Sequence, residues 1–150
     1  FQIFFTQVLA EYERIHAPFS LIMVDLDDFK RINDMCGHLQ GDRVLQEVSR
    51  IFQENLRGMD LVSRWGGEEF VMLLKACSRE AAFEWGETCR KQVENLSWES
   101  SKEGGDPLSV TISFGVVQYE PGETQEEMLS RADKALYRAK NKGKNRGEWE

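Results

Sequence analysis

Acidic residues gather at two places in this chain. Asp25-Leu26-Asp27-Asp28 closes a short apolar run, Phe19-Ser20-Leu21-Ile22-Met23-Val24. Three carboxylates at the end of a buried strand repel one another and sit better with a cation between them. Hard oxygen donors at a strand end suit Mg²⁺, an ion that also holds phosphates. The same aspartates would serve equally as a solvated turn with helix caps. The second cluster is Gly66-Gly67-Glu68-Glu69-Phe70. Strand alternation points Glu68 and Glu69 to opposite faces, so both reach one site only if the backbone is locally distorted. Glycines there let a ligand approach the backbone closely, and an ordinary hairpin with a polar turn is the alternative. A basic cluster, Arg138, Lys140, Lys142, Lys144 and Arg146 with Gly143 as a C-cap, follows near the end. It suits a phosphate, and it equally suits the dipole at a helix C-terminus.

The elements that must position these groups follow from hydrophobic period. Phe1 to about Ile15 reads as a helix with Phe1, Phe5, Val8, Leu9 and Tyr12 on one face, stopped before Pro18. Phe19–Asp25 reads as a strand covered on both faces. A helix runs from Gly37 to about Leu56 with Val44, Leu45, Val48, Ile51 and Phe52 inward. Leu61–Trp65 and Glu69–Leu74 flank Gly66-Gly67 and predict a hairpin. A helix over Arg79–Leu96, a polar loop over Ser97–Pro107, a long strand over Leu108–Tyr119 and a helix over Thr124–Asn141 complete the chain. The order α-β-α-β-β-α-β-α predicts an α/β (α+β) fold: a mixed, antiparallel-containing central sheet flanked by helices, ferredoxin-like or palm-like.

The 150 residues suit one domain, 1–150, with a core that needs no disulfide staples. The net charge of −7 argues against a nucleic-acid polymer as partner. An acidic chain still binds phosphates where lysines, helix N-termini or a metal offset the charge. Cys36, Cys77 and Cys89 are odd in number and lack CxxC spacing, which points to a reducing, cytosolic compartment rather than a disulfide or zinc framework. No run approaches the roughly 18 apolar residues of a membrane span. The chain opens in mid-pattern without an initiator Met, so a longer parent protein is expected, anchored in a membrane or free of one.

Several separated segments together resemble the diguanylate cyclase (GGDEF) family. They are Asp25-Leu26-Asp27-Asp28-Phe29-Lys30-Arg31-Ile32-Asn33-Asp34 with Gly37-His38 and Gly41-Asp42, then Arg64-Trp65-Gly66-Gly67-Glu68-Glu69-Phe70 in the Glu variant. Thr111-Ile112-Ser113-Phe114-Gly115-Val116 and Ala132-Asp133-Lys134-Ala135-Leu136-Tyr137-Arg138-Ala139-Lys140 follow in the family's order. The resemblance covers nearly the whole chain. The family's leading Leu-Thr-Gly-Leu-Pro-Asn-Arg block is absent before Phe1, and Cys36 stands where an aromatic is common.

The resemblance implies condensation of two GTP molecules into cyclic di-GMP, with two Mg²⁺ or Mn²⁺ ions per active site. Asp25, Glu68 and the carbonyl of Leu26 are the implied metal ligands, with Asp27 as a weaker one. Glu68 is also the implied general base, beside Glu69, while Gly66 and Gly67 make room for the nucleotide. Asn33 and Asp42 match the guanine-reading positions; a carboxylate accepts from guanine's N1–H and amino group, an edge adenine lacks. For both, helix capping is the plain alternative. Lys30, Lys140 and Lys144 match the phosphate contacts, with a point charge at 144 where the family often has Arg. Arg57-Gly58-Met59-Asp60 matches the RxxD product-inhibition motif, with Arg90 as a third contact. His38 reads as a structural hydrogen-bonder, Cys36 as core filler, and Trp65, Trp85, Trp98 and Trp149 as packing or surface residues. Catalysis by this family implies a homodimer with one GTP on each copy, and an upstream sensory domain supplies the signal. The implied fragment associates weakly, with low activity that rises with concentration. Other readings are a GTP or cyclic di-GMP receptor whose turnover has been lost, a cyclase making a mixed dinucleotide, and a purely structural domain.

Overall fold

The computed structural model describes residues 1–98 and 107–150. Most of the expected polar loop, residues 99–106, lies outside the described residues. The elements in chain order are α1 (Gln2–Ile15), β1 (Ser20–Leu26), α2 (Phe29–Cys36), α3 (His38–Asn55), β2 (Leu61–Arg64), β3 (Glu69–Leu74), α4 (Arg79–Glu94), β4 (Ile112–Gln118), α5 (Gln125–Asn141) and β5 (Gly147–Trp149). The sheet order is β2-β3-β1-β4-β5. The first four strands are antiparallel, in the ferredoxin-like order expected. β5 joins parallel to β4, which makes the sheet mixed.

β1 is the axis of the fold. Each of its seven residues is buried, as its near-continuous apolar run requires, because it has a strand on each side and helices on both faces. Ile22, Val24 and Leu26 face a cluster with Ile32 of α2, Val44, Val48 and Phe52 of α3 and Cys89 of α4. Leu21 and Met23 face Phe5 and Val8 of α1 and Met128, Ala132 and Leu136 of α5. Burial of each such side chain contributes about 1.5–3 kcal/mol. The period of two along β1 therefore sends Asp25 to the α5 side of the sheet and Leu26 to the other.

Two elements depart from the expected order. Phe29–Cys36 forms a helix of its own, with Phe29 and Ile32 buried. Gly37, at φ 83°, breaks it from α3, a conformation glycine adopts without cost. The three-residue β5 is too short to carry a period. The expected strand over Leu108–Tyr119 is shorter, Ile112–Gln118, while Leu108 makes an isolated bridge to Trp98. Elsewhere local chemistry sets the boundaries. Thr124 and Glu127 close a capping box at the start of α5, and the Ser78 hydroxyl caps α4 by accepting from Ala81 N at 3.3 Å.

Helix α5 lies directly on β4 at Gly115, where an added Cβ would overlap the Ala132 carbonyl oxygen and the Leu136 nitrogen. Gly115→Ala is expected to cost about 3 kcal/mol, because backbone rather than a movable side chain must yield; urea denaturation measures it. The cysteines give a second check. Cys36 is half-buried rather than the core filler expected, whereas Cys77 and Cys89 are buried. Burial pushes both buried thiols up, that of Cys89 to about 12. At pH 8 a disulfide reagent should find one fast thiol in the native protein, abolished by Cys36→Ser, and all three after unfolding.

Candidate active site

The mouth of β1 separates its three aspartates into three environments. Asp25 is 7% exposed, and its Oδ2 accepts from Lys140 Nζ of α5 at 2.8 Å. Burial pushes its carboxyl above the ordinary range, and Lys140 offsets part of that. Asp27 accepts from Thr111 Oγ1 at 2.7 Å, Ser113 Oγ at 2.7 Å and Asn145 N at 2.9 Å. It pins β1, the start of β4 and the turn after α5 together, a role different from the weaker metal ligand expected. Asp28 starts α2 in the left-handed region at φ 54° with no side-chain cap bond. Its carboxylate accepts from Lys144 Nζ at 2.6 Å instead.

The signature turn connects β2 to β3 beside this mouth. Glu68 O accepts from Leu26 N at 3.2 Å, and Trp65 N donates to Glu69 O at 2.8 Å. Arg64 holds the turn from below, with Nη2 donating to Gly67 O at 2.6 Å and Nε to Gly66 O at 3.2 Å. Neither glycine has positive φ. A Cβ at Gly67 would meet nothing within 4 Å. The fold itself does not require glycine there, and its absent side chain leaves the backbone open from outside. Glu68 lies in the turn, ahead of the β3 alternation, and points into the recess at the β1 mouth. Glu69 pairs with Asp25 across the strands, and its carboxylate folds back against Gly66. Glu69 therefore shares the face of Asp25, while Glu68 sits outside the ladder rather than alternating with it.

Two adjoining recesses share Phe29, Lys30 and Glu68 as their common wall. The first, about 320 Å³, also takes Asp25, Leu26, Lys140 and Lys144. The second, about 540 Å³, takes Asn33, Asp42, His38, Arg64 and Gly67. The residues singled out as metal-, phosphate- and base-facing therefore converge, although they come from β1, α2, α3, the β2–β3 turn, α5 and the turn beyond it. Asn33 lies inside α2 and Asp42 inside α3, so neither caps a helix. Asn33 packs against Gly41, where a Cβ would overlap its Oδ1. His38 is exposed at the rim and makes no side-chain hydrogen bond among the described residues, contrary to the structural role expected.

Burial pushes the Glu68 carboxyl up, repulsion from Asp25 and Glu69 pushes it further, and Lys140 pulls it part of the way back. Two mutually repelling carboxylates in one recess are what a divalent cation relieves. Among the described residues no three His, Cys, Asp or Glu side chains form a metal cage. A hard cation here would take Asp25, Glu68 and a backbone carbonyl such as Leu26, and complete its shell with ligand phosphates and water. That donor set fits Mg²⁺ or Mn²⁺.

A second constellation lies apart from these recesses. Arg57 forks onto Asp60, with Nε to Oδ2 and Nη2 to Oδ1 both at 2.9 Å. The Asp60 carboxylate, 3% exposed, also accepts from Lys75 N at 3.0 Å. Arg57 is half-exposed and additionally donates to Lys75 O at 2.6 Å. Arg90 does not join this pair. Its guanidinium is engaged by Glu87, Glu94 and Asn145. Sequence reasoning missed the Arg64 clamp, the hydroxyl pair on Asp27 and the role of Asn145. The last two link residues more than eighty positions apart and carry no local signal.

Comparison with known proteins agrees with this geometry. Residues 1–146 match the family described as diguanylate cyclase, GGDEF domain. Diguanylate cyclase DgcP of Pseudomonas aeruginosa is 42% identical over 142 residues, which is 95% of this chain and 21% of that protein. The chain thus spans about a fifth of that relative's length. The active GGEEF domain of a diguanylate cyclase from Vibrio cholerae superposes with a TM-score of 0.86 at 32% identity, over 95% of this chain and 89% of that one. The GGDEF domain of DgcB from Caulobacter crescentus, in complex with c-di-GMP, gives a TM-score of 0.89 at 30% identity, over 95% and 84% of the two chains. The chain belongs to the diguanylate cyclase GGDEF domain family.

Proposed function

We propose that this domain condenses two GTP molecules into cyclic di-GMP, releasing two pyrophosphates. The observation that carries this reading is the pair of adjoining recesses with Phe29, Lys30 and Glu68 between them. One offers Asn33 and Asp42 to a guanine edge, while the other offers lysines and carboxylates to a triphosphate with its metal ions. A bound divalent ion, Mg²⁺ or Mn²⁺ and two per site by family analogy, supplies charge neutralisation at the phosphates. Asp25, Glu68 and Leu26 would hold it. Lys30, Lys140 and Lys144 orient the β- and γ-phosphates. Lys140 and Lys144 leave Asp25 and Asp28 to do so, which turns two internal ion pairs into substrate contacts.

Each copy holds one GTP, so the 3′-hydroxyl of one nucleotide must be brought to the α-phosphate of the other by a second copy. Glu68, whose carboxyl lies above the usual range, is the group placed to accept the 3′-hydroxyl proton as the O–P bond forms and pyrophosphate leaves. Gly67 leaves room at the turn for this approach. An upstream domain of the parent protein would set how the copies meet. Arg57 and Asp60 are the proposed cyclic di-GMP site for product inhibition, with the exposed guanidinium offered to guanine or phosphate.

Incubation of the protein with GTP and Mg²⁺ should yield cyclic di-GMP by mass spectrometry. Glu68→Ala should abolish it. Gly67→Ala should lower it at least tenfold with an unchanged melting temperature. Product from Glu68→Ala at the wild-type rate would contradict the reading, and tight cyclic di-GMP binding without turnover would favour a receptor instead. Specific activity should fall on hundredfold dilution, and a flat response would end the two-copy requirement. At the second site, Asp60→Ala should cost about 2 kcal/mol in stability, because the backbone N–H groups of Arg57 and Lys75 and the Arg57 guanidinium lose their acceptor. Arg57→Ala should cost about half that, and so tests product binding more cleanly; calorimetry should show cyclic di-GMP affinity lost while the fold persists.

A further inference from the structure

The turn that follows α5 is the most strained stretch of the described backbone. Gly143, Lys144 and Asn145 have φ values of 116°, 63° and 46° in succession. Glycine adopts the first without cost, but two consecutive non-glycine residues in the left-handed region must be held there by other contacts. Part of the hold is the helix end itself. Gly143 N donates to Lys140 O at 3.3 Å and Lys144 N to Ala139 O at 3.2 Å, a Schellman pattern. That pattern ends at Lys144 and leaves Asn145 to be explained.

Asn145 is tied on three sides by other elements. Its backbone N–H donates to Asp27 Oδ2 at 2.9 Å, at the mouth of β1. Its side-chain Oδ1 accepts from Arg90 Nη1 at 2.9 Å, and its Nδ2 donates to Glu94 Oε1 at 2.7 Å, both on α4. Arg90 is itself fixed by a fork onto Glu87 and by Glu94. The neighbouring Lys144 projects into the smaller recess and meets Asp28, itself in the left-handed region. Lysine is a flexible point charge, so where its ammonium can reach depends on where its backbone is held.

We propose that Asn145 is a positioning residue: by clamping the turn to Asp27, Arg90 and Glu94, it holds Lys144 where its ammonium meets the substrate's terminal phosphates. This rests on the assignment of Lys144 to phosphate made above. It gives Arg90, which the Arg57–Asp60 pair does not use, a place behind the nucleotide recess. It also separates two roles within adjacent residues. Lys144 touches the ligand, while Asn145 acts only through Lys144.

The test uses 3′-deoxyguanosine triphosphate, which lacks the attacking hydroxyl and cannot condense, beside GMP, which lacks the terminal phosphates. Affinities are measured by calorimetry for wild type, Lys144→Ala, Asn145→Gly and the double variant. Glycine at 145 tolerates the positive φ, so the backbone is not penalised and only the side-chain ties are lost. Asn145→Gly is expected to weaken the triphosphate about tenfold and GMP less than twofold. The double variant should be no weaker than Lys144→Ala alone, because neighbours acting through one contact are non-additive. Asn145→Asp keeps the acceptor for Arg90 but meets Glu94 with like charge, and should fall between wild type and the glycine variant. Full additivity of the two losses, an equal loss for GMP, or a wild-type triphosphate affinity in Asn145→Gly while Lys144→Ala is weakened would each overturn the role of Asn145. A Lys144→Ala variant that keeps the wild-type preference for triphosphate would overturn the phosphate assignment and this inference with it.

Discussion

Three carboxylates within four residues, at the open end of a strand buried on both faces, repel one another too strongly to share a single environment. The chain resolves that repulsion by drawing a different partner to each. Lys140 comes to Asp25 from the last turn of α5, hydroxyls of Thr111 and Ser113 come to Asp27 from the β4 side, and Lys144 comes to Asp28 from the turn beyond α5. Each partner belongs to a C-terminal segment, so these contacts tie the last third of the chain to the mouth of β1. The same arrangement assembles a recess lined by acids and lysines in alternation, able to receive both a cation and a phosphate chain.

The sheet is what makes this arrangement rigid. β1 is central, so its register to β3 fixes Asp25 opposite Glu69, and its register to β4 fixes it opposite Ser113. Glu68 is then the first residue free of the ladder, and its carbonyl still accepts from Leu26. A one-residue slip of β3 would turn Glu69 away from the face it shares with Asp25 and carry Glu68 into the ladder. Buried Phe70, Met72 and Leu74 on one face, with Val71 and Leu73 on the other, resist that slip. The packing of the core thus fixes the position of the turn that carries Glu68.

Much of this was legible from residue order because strong periods and turn chemistry specify local elements. The apolar run of β1, the Gly66-Gly67 hairpin and the stripe of α5 are each sufficient. The convergence of Asp25, Glu68, Lys30, Asn33, Asp42, Lys140 and Lys144 followed only from resemblance to the family, since nothing local joins residues more than a hundred apart. What stayed hidden depends on tertiary partners. β5 exists because β4 offers it an edge. The eight residues of α2 carry too short a period to announce a helix, although Phe29 and Ile32 lie one turn apart. Arg90 is expected as a third contact at the Arg57–Asp60 site, whereas its guanidinium is engaged by Glu87, Glu94 and Asn145.

The proposed function requires the two adjoining recesses to hold one nucleotide, base on the α2–α3 side and phosphates at the β1 mouth. A crystal structure of the protein with 3′-deoxyguanosine triphosphate and Mg²⁺ tests it most directly. The guanine edge is expected on Asn33 and Asp42, the terminal phosphates on Lys144 and Lys140 in place of Asp28 and Asp25, and the metal between Asp25 and Glu68. A nucleotide bound elsewhere, with the Lys140–Asp25 and Lys144–Asp28 pairs intact, would contradict it.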